Sequence, residues 1–254
     1  TNIATHAAAI CVDARLLKRA ASIGGEERAR ARKLRRGLAH HYAALLRFRA
    51  GDGGFARHVG ASADLESTAL AILALNELDE RSWPHDARIL SAAQLWVRRR
   101  LQTSRWQVPA KMISSRPPTA DELAVTATVA LTCWAMNATG ADPIQVQGPL
   151  DAAAAYAVDH DRQNLVGTFV ASALYHSRRS VQAGQIVEGI VESARENNTQ
   201  LPSPGRCVDA LGLDQRAGRI VTAALAASLL DRLGRSGETA DAYRKELAGL
   251  RSAD

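Results

Sequence analysis

Aromatic residues are scarce in this chain, at 4% of 254 residues. Any site that must line a pocket with rings therefore has little material to draw on. The three cysteines, Cys11, Cys133 and Cys207, are far apart and odd in number. No CxxC pair and no Cys/His ligand spacing occurs, which argues against a disulfide framework and gives a zinc site little support. Cys133 falls in an apolar stretch and reads as a small buried hydrophobe. No apolar run approaches the length of a membrane span. No secretory leader is visible, although the sequence opens at Thr1. A phosphate-binding glycine loop and a nucleophile elbow are both missing. Gly51, Gly53 and Gly54 lead into a turn rather than following a strand. Acidic residues are outnumbered, 26 against 32 Lys and Arg, for a formal charge of +6. That balance permits acidic partners without demanding them.

Hydrophobic residues make up 46% of the chain, enough for a substantial core. Abundant alanine and arginine favour helix. Ten helices are expected, at about 2–22, 27–49, 64–79, from Pro84 onward, 121–138, 149–158, 164–177, 181–196, 215–233 and 238–250. Asp64 is placed to cap the third. Pro84 suits the first turn of the fourth, and Pro149 opens the sixth. "SSRPPTAD" and "NNTQLPSPG" read as loops. No alternating strand pattern competes. The class is all-α.

The helices are of two kinds. The third, fifth, seventh and ninth ("LESTALAILAL", "ELAVTATVALTCWAM", "NLVGTFVASALY", "RIVTAALAASLL") are apolar on nearly all sides. The second, fourth, eighth and tenth carry charge on one face. A helix apolar all round has to be buried all round, so inner and outer helices alternate along the chain. A ring of helical hairpins fits this alternation, and a two-layer helical solenoid is the competing architecture. Thr68-Ala69, Thr126-Ala127 and Thr222-Ala223 recur inside inner helices, with Thr168 in a similar place. Their irregular spacing does not match short fixed-period repeats.

The segment "DGGF" (52–55) before an apolar helix with an internal Thr-Ala resembles the alpha/alpha-toroid superfamily, which includes terpenoid cyclases, protein prenyltransferase beta subunits and the thioester domains of alpha-macroglobulins and complement proteins. In order and spacing the chain is most similar to the thioester domain. The segments that carry this are "LAHHYAALLRFRAGDGGF", "LESTALAILAL", "AAQLWVRRRLQTSRW" and "DELAVTATVALTCWAM". The resemblance implies a single domain over 1–254, an alpha/alpha toroid of about five hairpins in which inner and outer helices alternate. The family ring has six, so the expectation is an incomplete ring, or one whose gap something else fills. A thioester needs a CxEQ segment before the first inner helix, and none is present; Cys11 is followed by "VDA". The function implied is non-catalytic protein binding within a larger polypeptide or assembly. The partner is then a protein or a neighbouring domain. The compartment is extracytoplasmic if that resemblance extends to function and cytoplasmic otherwise.

The competing reading is an enzyme. Class II terpene cyclases carry DxDDTA, in which an aspartic acid protonates an alkene or epoxide. "DLESTA" matches at Asp64, Thr68 and Ala69, with Glu66 and Ser67 replacing two acids. Under this reading Glu66 is the general acid and Asp64 its support. A carbocation also needs aromatic faces, and near the inner helices only Trp134, Phe169 and Tyr175 are available, with Phe55 and Trp106 on turns. The plainer reading has Asp64 capping the helix and Glu66 complementing its positive end. "CVDA" occurs at Cys11–Asp13 and Cys207–Asp209 in the order opposite to a prenyltransferase zinc set, and His176 is a lone histidine. His40-His41 and "AVDHD" (157–161) do not place two ligands one turn apart with a third in view. No metal and no cofactor is expected. The run "EERARARKLRR" (26–36) reads as the solvated face of an outer helix. Its Arg28, Arg32, Arg35 and Arg36, with Arg57 and His58 near the turn, are the candidate partner contacts. Without interleaved aromatics to stack on bases, nucleic acid is not the expected partner.

Overall fold

Side-chain caps start several of the helices in the computed structural model. It describes the whole chain except residues 1, 21–26, 80–82, 103–107, 109–118, 141–143, 160–163, 197–200, 206–207, 209–213, 236 and 252–254. The described residues form ten α-helices: α1 (Ile3–Ala20), α2 (Glu27–Leu46), α3 (Leu65–Asp79), α4 (Ala87–Leu101), α5 (Ala120–Ala138), α6 (Ile144–Asp159), α7 (Asn164–His176), α8 (Ser180–Glu196), α9 (Gln215–Arg232) and α10 (Glu238–Arg251). Among them no strand forms. An isolated antiparallel bridge joins Arg49 and Phe55 across a turn. The protein is all-α.

Asp64 caps α3 as expected, one carboxylate oxygen accepting from Ser67 N–H at 2.8 Å. Asp214 does the same for α9, accepting from Ala217 N–H at 2.6 Å. Thr119 and Glu122 exchange two hydrogen bonds in a capping box ahead of α5. Two proline assignments fail. Pro84 is not in the first turn of α4. The helix starts at Ala87, because the Asp86 side chain accepts from Arg88 N–H at 2.9 Å and is the better cap. Pro149 does not open α6; it lies inside a helix that starts at Ile144. A proline that early removes a single intrahelical bond, and the apolar Val146 and Leu150 are buried on either side of it.

Helix α7 ends without glycine. Arg178 adopts φ 64°, and Arg179 N–H closes back on the Leu174 carbonyl at 2.9 Å. Its Cβ crowds the backbone in this left-handed conformation, at a cost of about 1 kcal/mol. Arg178 is exposed, so Arg178→Gly should raise the thermal unfolding midpoint, by the equivalent of up to about 1 kcal/mol after glycine's extra chain entropy is subtracted. An unchanged or lower midpoint would show that the arginine side chain contributes something the strain argument omits.

The chain divides into two compact units, Thr1–Thr103 with Ala138–Ala141, and Ser104–Asn137 with Asp142–Asp254. In the first, α1 packs on α2 and α3, and α3 on α4. In the second, α6 packs on α7, α7 on α8 and α9, and α9 on α10. The Cys133 thiol of α5 meets the Val146 carbonyl of α6 at 3.7 Å, and Trp134 stacks on Phe169 of α7. Helix α3 exposes only Asp79. In α7 every residue from Asn164 to Leu174 is buried, and α5 is buried from Thr126 to Cys133. Helix α9 departs from the expectation of burial on all sides. Arg219 and Ala224 are exposed, and Ile220, Val221 and Leu225 are half-buried.

The recurrent threonines have one structural role. Thr68, Thr126, Thr168 and Thr222 are fully buried. Each hydroxyl donates to a carbonyl of the preceding turn, from Asp64, Glu122, Leu165 and Gly218, at 2.7–2.8 Å. The buried hydroxyl is thereby satisfied within its own helix. Ala69, Ala127 and Ala223 beside three of the threonines are also fully buried.

Candidate functional site

The turn between α2 and α3 holds the residues on which the two functional readings divide. Three lines of hydrogen bonding fix it. Asp52 accepts from Gly54 N–H at 3.2 Å through one carboxylate oxygen, and from the Trp96 indole N–H of α4 at 2.8 Å through the other. Thr68 Oγ1 accepts from Phe55 N–H at 2.9 Å. The Phe55 carbonyl accepts from Asp64 N–H at 3.0 Å. The Phe55 side chain is fully buried. Gly53 sits at φ 96°, a conformation that glycine adopts without strain. Arg100 lies over the Trp96 ring, its guanidinium carbon 5.1 Å from the centroid.

Both acids of "DLESTA" are engaged by their surroundings. Asp64 uses one oxygen for Ser67 N–H and the other for the Ser67 hydroxyl, each at 2.8 Å. Glu66 accepts from Arg57 Nη2 at 2.7 Å. Its side chain is one-fifth exposed, and that of Arg57 nearly half. Burial raises the Glu66 carboxyl above its ordinary range, and the charge of Asp64 adds to this; Arg57 opposes both. The carboxyl therefore faces the preceding turn, where it holds an exposed guanidinium. Asp64 supports the helix end and makes no bond to Glu66.

The remaining candidates are distributed as follows. Arg32, Arg35 and Arg36 are exposed on α2, as are Arg30 and Lys33; the side chain of Arg28 lies outside the described residues. His58 is exposed, and Arg57 is committed to Glu66. Cys207, Trp106, Asp209, His160 and Asp161 lie outside the described residues. Burial pushes the Cys11 and Cys133 thiols up to about 12, so neither supplies a thiolate near neutral pH. His176 accepts from Arg232 at 3.0 Å. Among the described residues no group of three His, Cys, Asp or Glu side chains is disposed to hold a metal ion. No described helix is long and apolar enough to cross a membrane.

The structure also adds a histidine that sequence reasoning missed. His6 of α1 is buried, with its Nδ1 3.1 Å from His41 Nδ1, its ring 6.5 Å from that of His40 and 5.8 Å from Phe48. The two Nδ1 atoms share one proton, donor and acceptor set by the tautomers. Burial lowers the His6 pKa, and His41 and His40 lower it further. Folded His6 thus resists a proton that the unfolded chain accepts near pH 6.5. Stability is retained above that pH and falls as pH drops below it. The unfolding midpoint should be lower at pH 5.5 than at pH 7.5, and His6→Phe should shrink the difference; an equal difference in the variant would remove His6 from the account.

No protein-family model matches the chain, and no curated protein matches it in sequence.

Proposed function

We propose that this chain is a non-catalytic, protein-binding domain of the alpha/alpha-toroid type, similar to a thioester domain without its thioester. The observation that carries the reading is the engagement of Asp64 and Glu66. Asp64 spends both carboxylate oxygens on the first turn of α3, and Glu66 is paired with Arg57. A cyclase acid has to be enclosed with its proton available to the alkene and away from a competing cation. Here a cation lies at hydrogen-bond distance and is itself half in solvent.

The toroid architecture is supported by two features. Largely buried helices α3, α5 and α7 alternate along the chain with the one-faced helices α2, α4, α8 and α10, and α7 packs on the partly exposed α9, as α1 does on α3. Partner contacts are assigned to Arg28 and to the exposed guanidiniums of Arg32, Arg35 and Arg36 on α2, with His58 beside the turn and Arg57 bridging to Glu66. The partner is a protein or a neighbouring domain, recognised through its carboxylates.

The raised Glu66 carboxyl is the one observation that favours the enzyme reading, since a proton donor benefits from it. Incubation with prenyl diphosphates and linear polyprenes, followed by gas chromatography and mass spectrometry, separates the two. The binding-domain reading expects no cyclised or hydrolysed product above a heat-inactivated control. Product that disappears in Glu66→Gln would establish the enzyme instead.

A further inference from the structure

The connection from α3 to α4, within the first unit, holds a histidine with an unused nitrogen. His85 immediately precedes Asp86, the cap of α4, and its imidazole is 4% exposed. Its Nδ1 lies 2.9 Å from the Trp83 carbonyl oxygen. A carbonyl only accepts, so Nδ1 carries the proton and the neutral ring keeps its lone pair on Nε2. That nitrogen is buried and has no hydrogen-bond partner. Facing it at 3.9 Å is a carboxylate oxygen of Asp79, the last residue of α3.

Two acceptors thus confront each other. A buried acceptor without a partner carries an uncompensated desolvation cost, and the carboxylate charge beside it raises that cost. Asp79 also stands at the C-terminal end of α3, where the helix's last carbonyls concentrate negative charge. A cation held between Nε2 and the carboxylate relieves each of these. A histidine whose Nδ1–H is tied to a backbone carbonyl is, moreover, already in the tautomer and orientation that bind a metal through Nε2.

We propose that Asp79 and His85 bind a divalent transition-metal ion of the zinc type. One imidazole nitrogen and one carboxylate oxygen suit such an ion, whereas magnesium and calcium take oxygen ligands and gain little from a ring nitrogen. Tetrahedral ligands at about 2.1 Å from zinc stand about 3.4 Å apart, so the pair has to close by about half an ångström. Asp79 can make that movement, since its side chain is 64% exposed. Two protein ligands leave the other positions to water, and binding is weaker than at a site with three or four. The bound ion would clip the end of α3 to the residue before the α4 cap. This inference goes beyond the function proposed above and does not rest on it, since it involves neither the DGGF turn nor the α2 arginines.

Long-range proton–nitrogen NMR of the imidazoles tests it on the full chain, freed of metal by a chelator and held at neutral pH in a non-coordinating buffer. Zinc ion alone is titrated in, and magnesium ion in a parallel experiment. A saturable shift of the His85 Nε2 resonance is expected with zinc and not with magnesium. Resolving each histidine separates this site from zinc captured elsewhere on the surface. Asp79→Asn should weaken the response about tenfold or more, a ligand's loss being no milder than that of a group supporting one, with circular dichroism unchanged. His85→Gln should leave no saturable zinc-dependent change at the Asp79 amide. Three results overturn the proposal: no saturable shift at His85 with zinc, an equal shift with magnesium, or unchanged affinity in the folded Asp79→Asn variant.

Discussion

Replacing Phe55 with alanine is expected to destabilise the first unit by about 4 kcal/mol. The ring is fully buried, so its entire apolar surface returns to water on unfolding. The cost exceeds simple transfer because the surroundings have little freedom to close on the vacated space. Phe55 N–H is held by Thr68 Oγ1, and its carbonyl by Asp64 N–H. Both partners belong to the first turn of α3 or its cap, and Asp64 is in turn tied to Ser67. The backbone on either side of the ring is therefore fixed to a helix that exposes only its last residue. Hydrogen exchange of the α3 amides reads the loss locally, without requiring the two units to unfold together. Phe55→Leu keeps most of the volume and should cost only about 1–1.5 kcal/mol. A loss below about 1.5 kcal/mol for Phe55→Ala would mean that the turn collapses onto the gap, and that the hydrogen bonds around it do not hold it in place.

How much of this site could be read in advance depends on how local each interaction is. The burial of α3, α5 and α7 was legible because continuous apolar sequence has one physical solution, enclosure on all sides. The Asp64 cap was legible because cap and helix are neighbours in sequence. The recurrent threonines were visible as a pattern. Their back-bonding to the preceding turn explains why a polar residue recurs in helices that are otherwise apolar. Pro84 misled because Asp86, two residues on, is a stronger start signal than a proline that merely tolerates one. The half-exposed flank of α9 was not legible, because Arg219 is a single charge in an apolar run and periodicity gives it little weight. Contacts that join distant segments left no local signal. Trp96 reaches Asp52 across 44 positions, His6 reaches His41 across 35, and Arg57 reaches Glu66 only because the turn folds back. The carboxylate that the cyclase-like motif made the catalytic candidate is thus held by a partner that no periodicity could assign.

Gly54→Ala should cost about 3 kcal/mol, although its backbone conformation is open to any residue. The obstacle is space. A Cβ built at Gly54 would lie 2.7 Å from two carbons of the Trp96 ring and 2.7 Å from the Ala63 Cβ. Neither neighbour is the free end of a flexible side chain. The indole is fixed by its N–H bond to Asp52 at 2.8 Å, and Trp96 is buried. Accommodating one methyl group therefore means either moving the indole off Asp52 or pushing α4 away from the turn. Gly53 is the contrasting neighbour. Its φ of 96° disfavours a side chain, but a Cβ there meets nothing closer than 3.4 Å. Gly53→Ala should cost about 1–2 kcal/mol, from backbone strain alone. The two mechanisms separate in a Trp96→Ala background. Removing the indole relieves the two ring contacts at Gly54, leaves the one with the Ala63 Cβ, and leaves the Gly53 dihedral as it was. The penalty of Gly54→Ala should then fall by more than half, a coupling well outside additive behaviour, while that of Gly53→Ala stays the same. If Gly54→Ala costs as much without the indole as with it, the close approach of Trp96 is not what demands glycine at this position. The second glycine of "DGGF" would then need another cause.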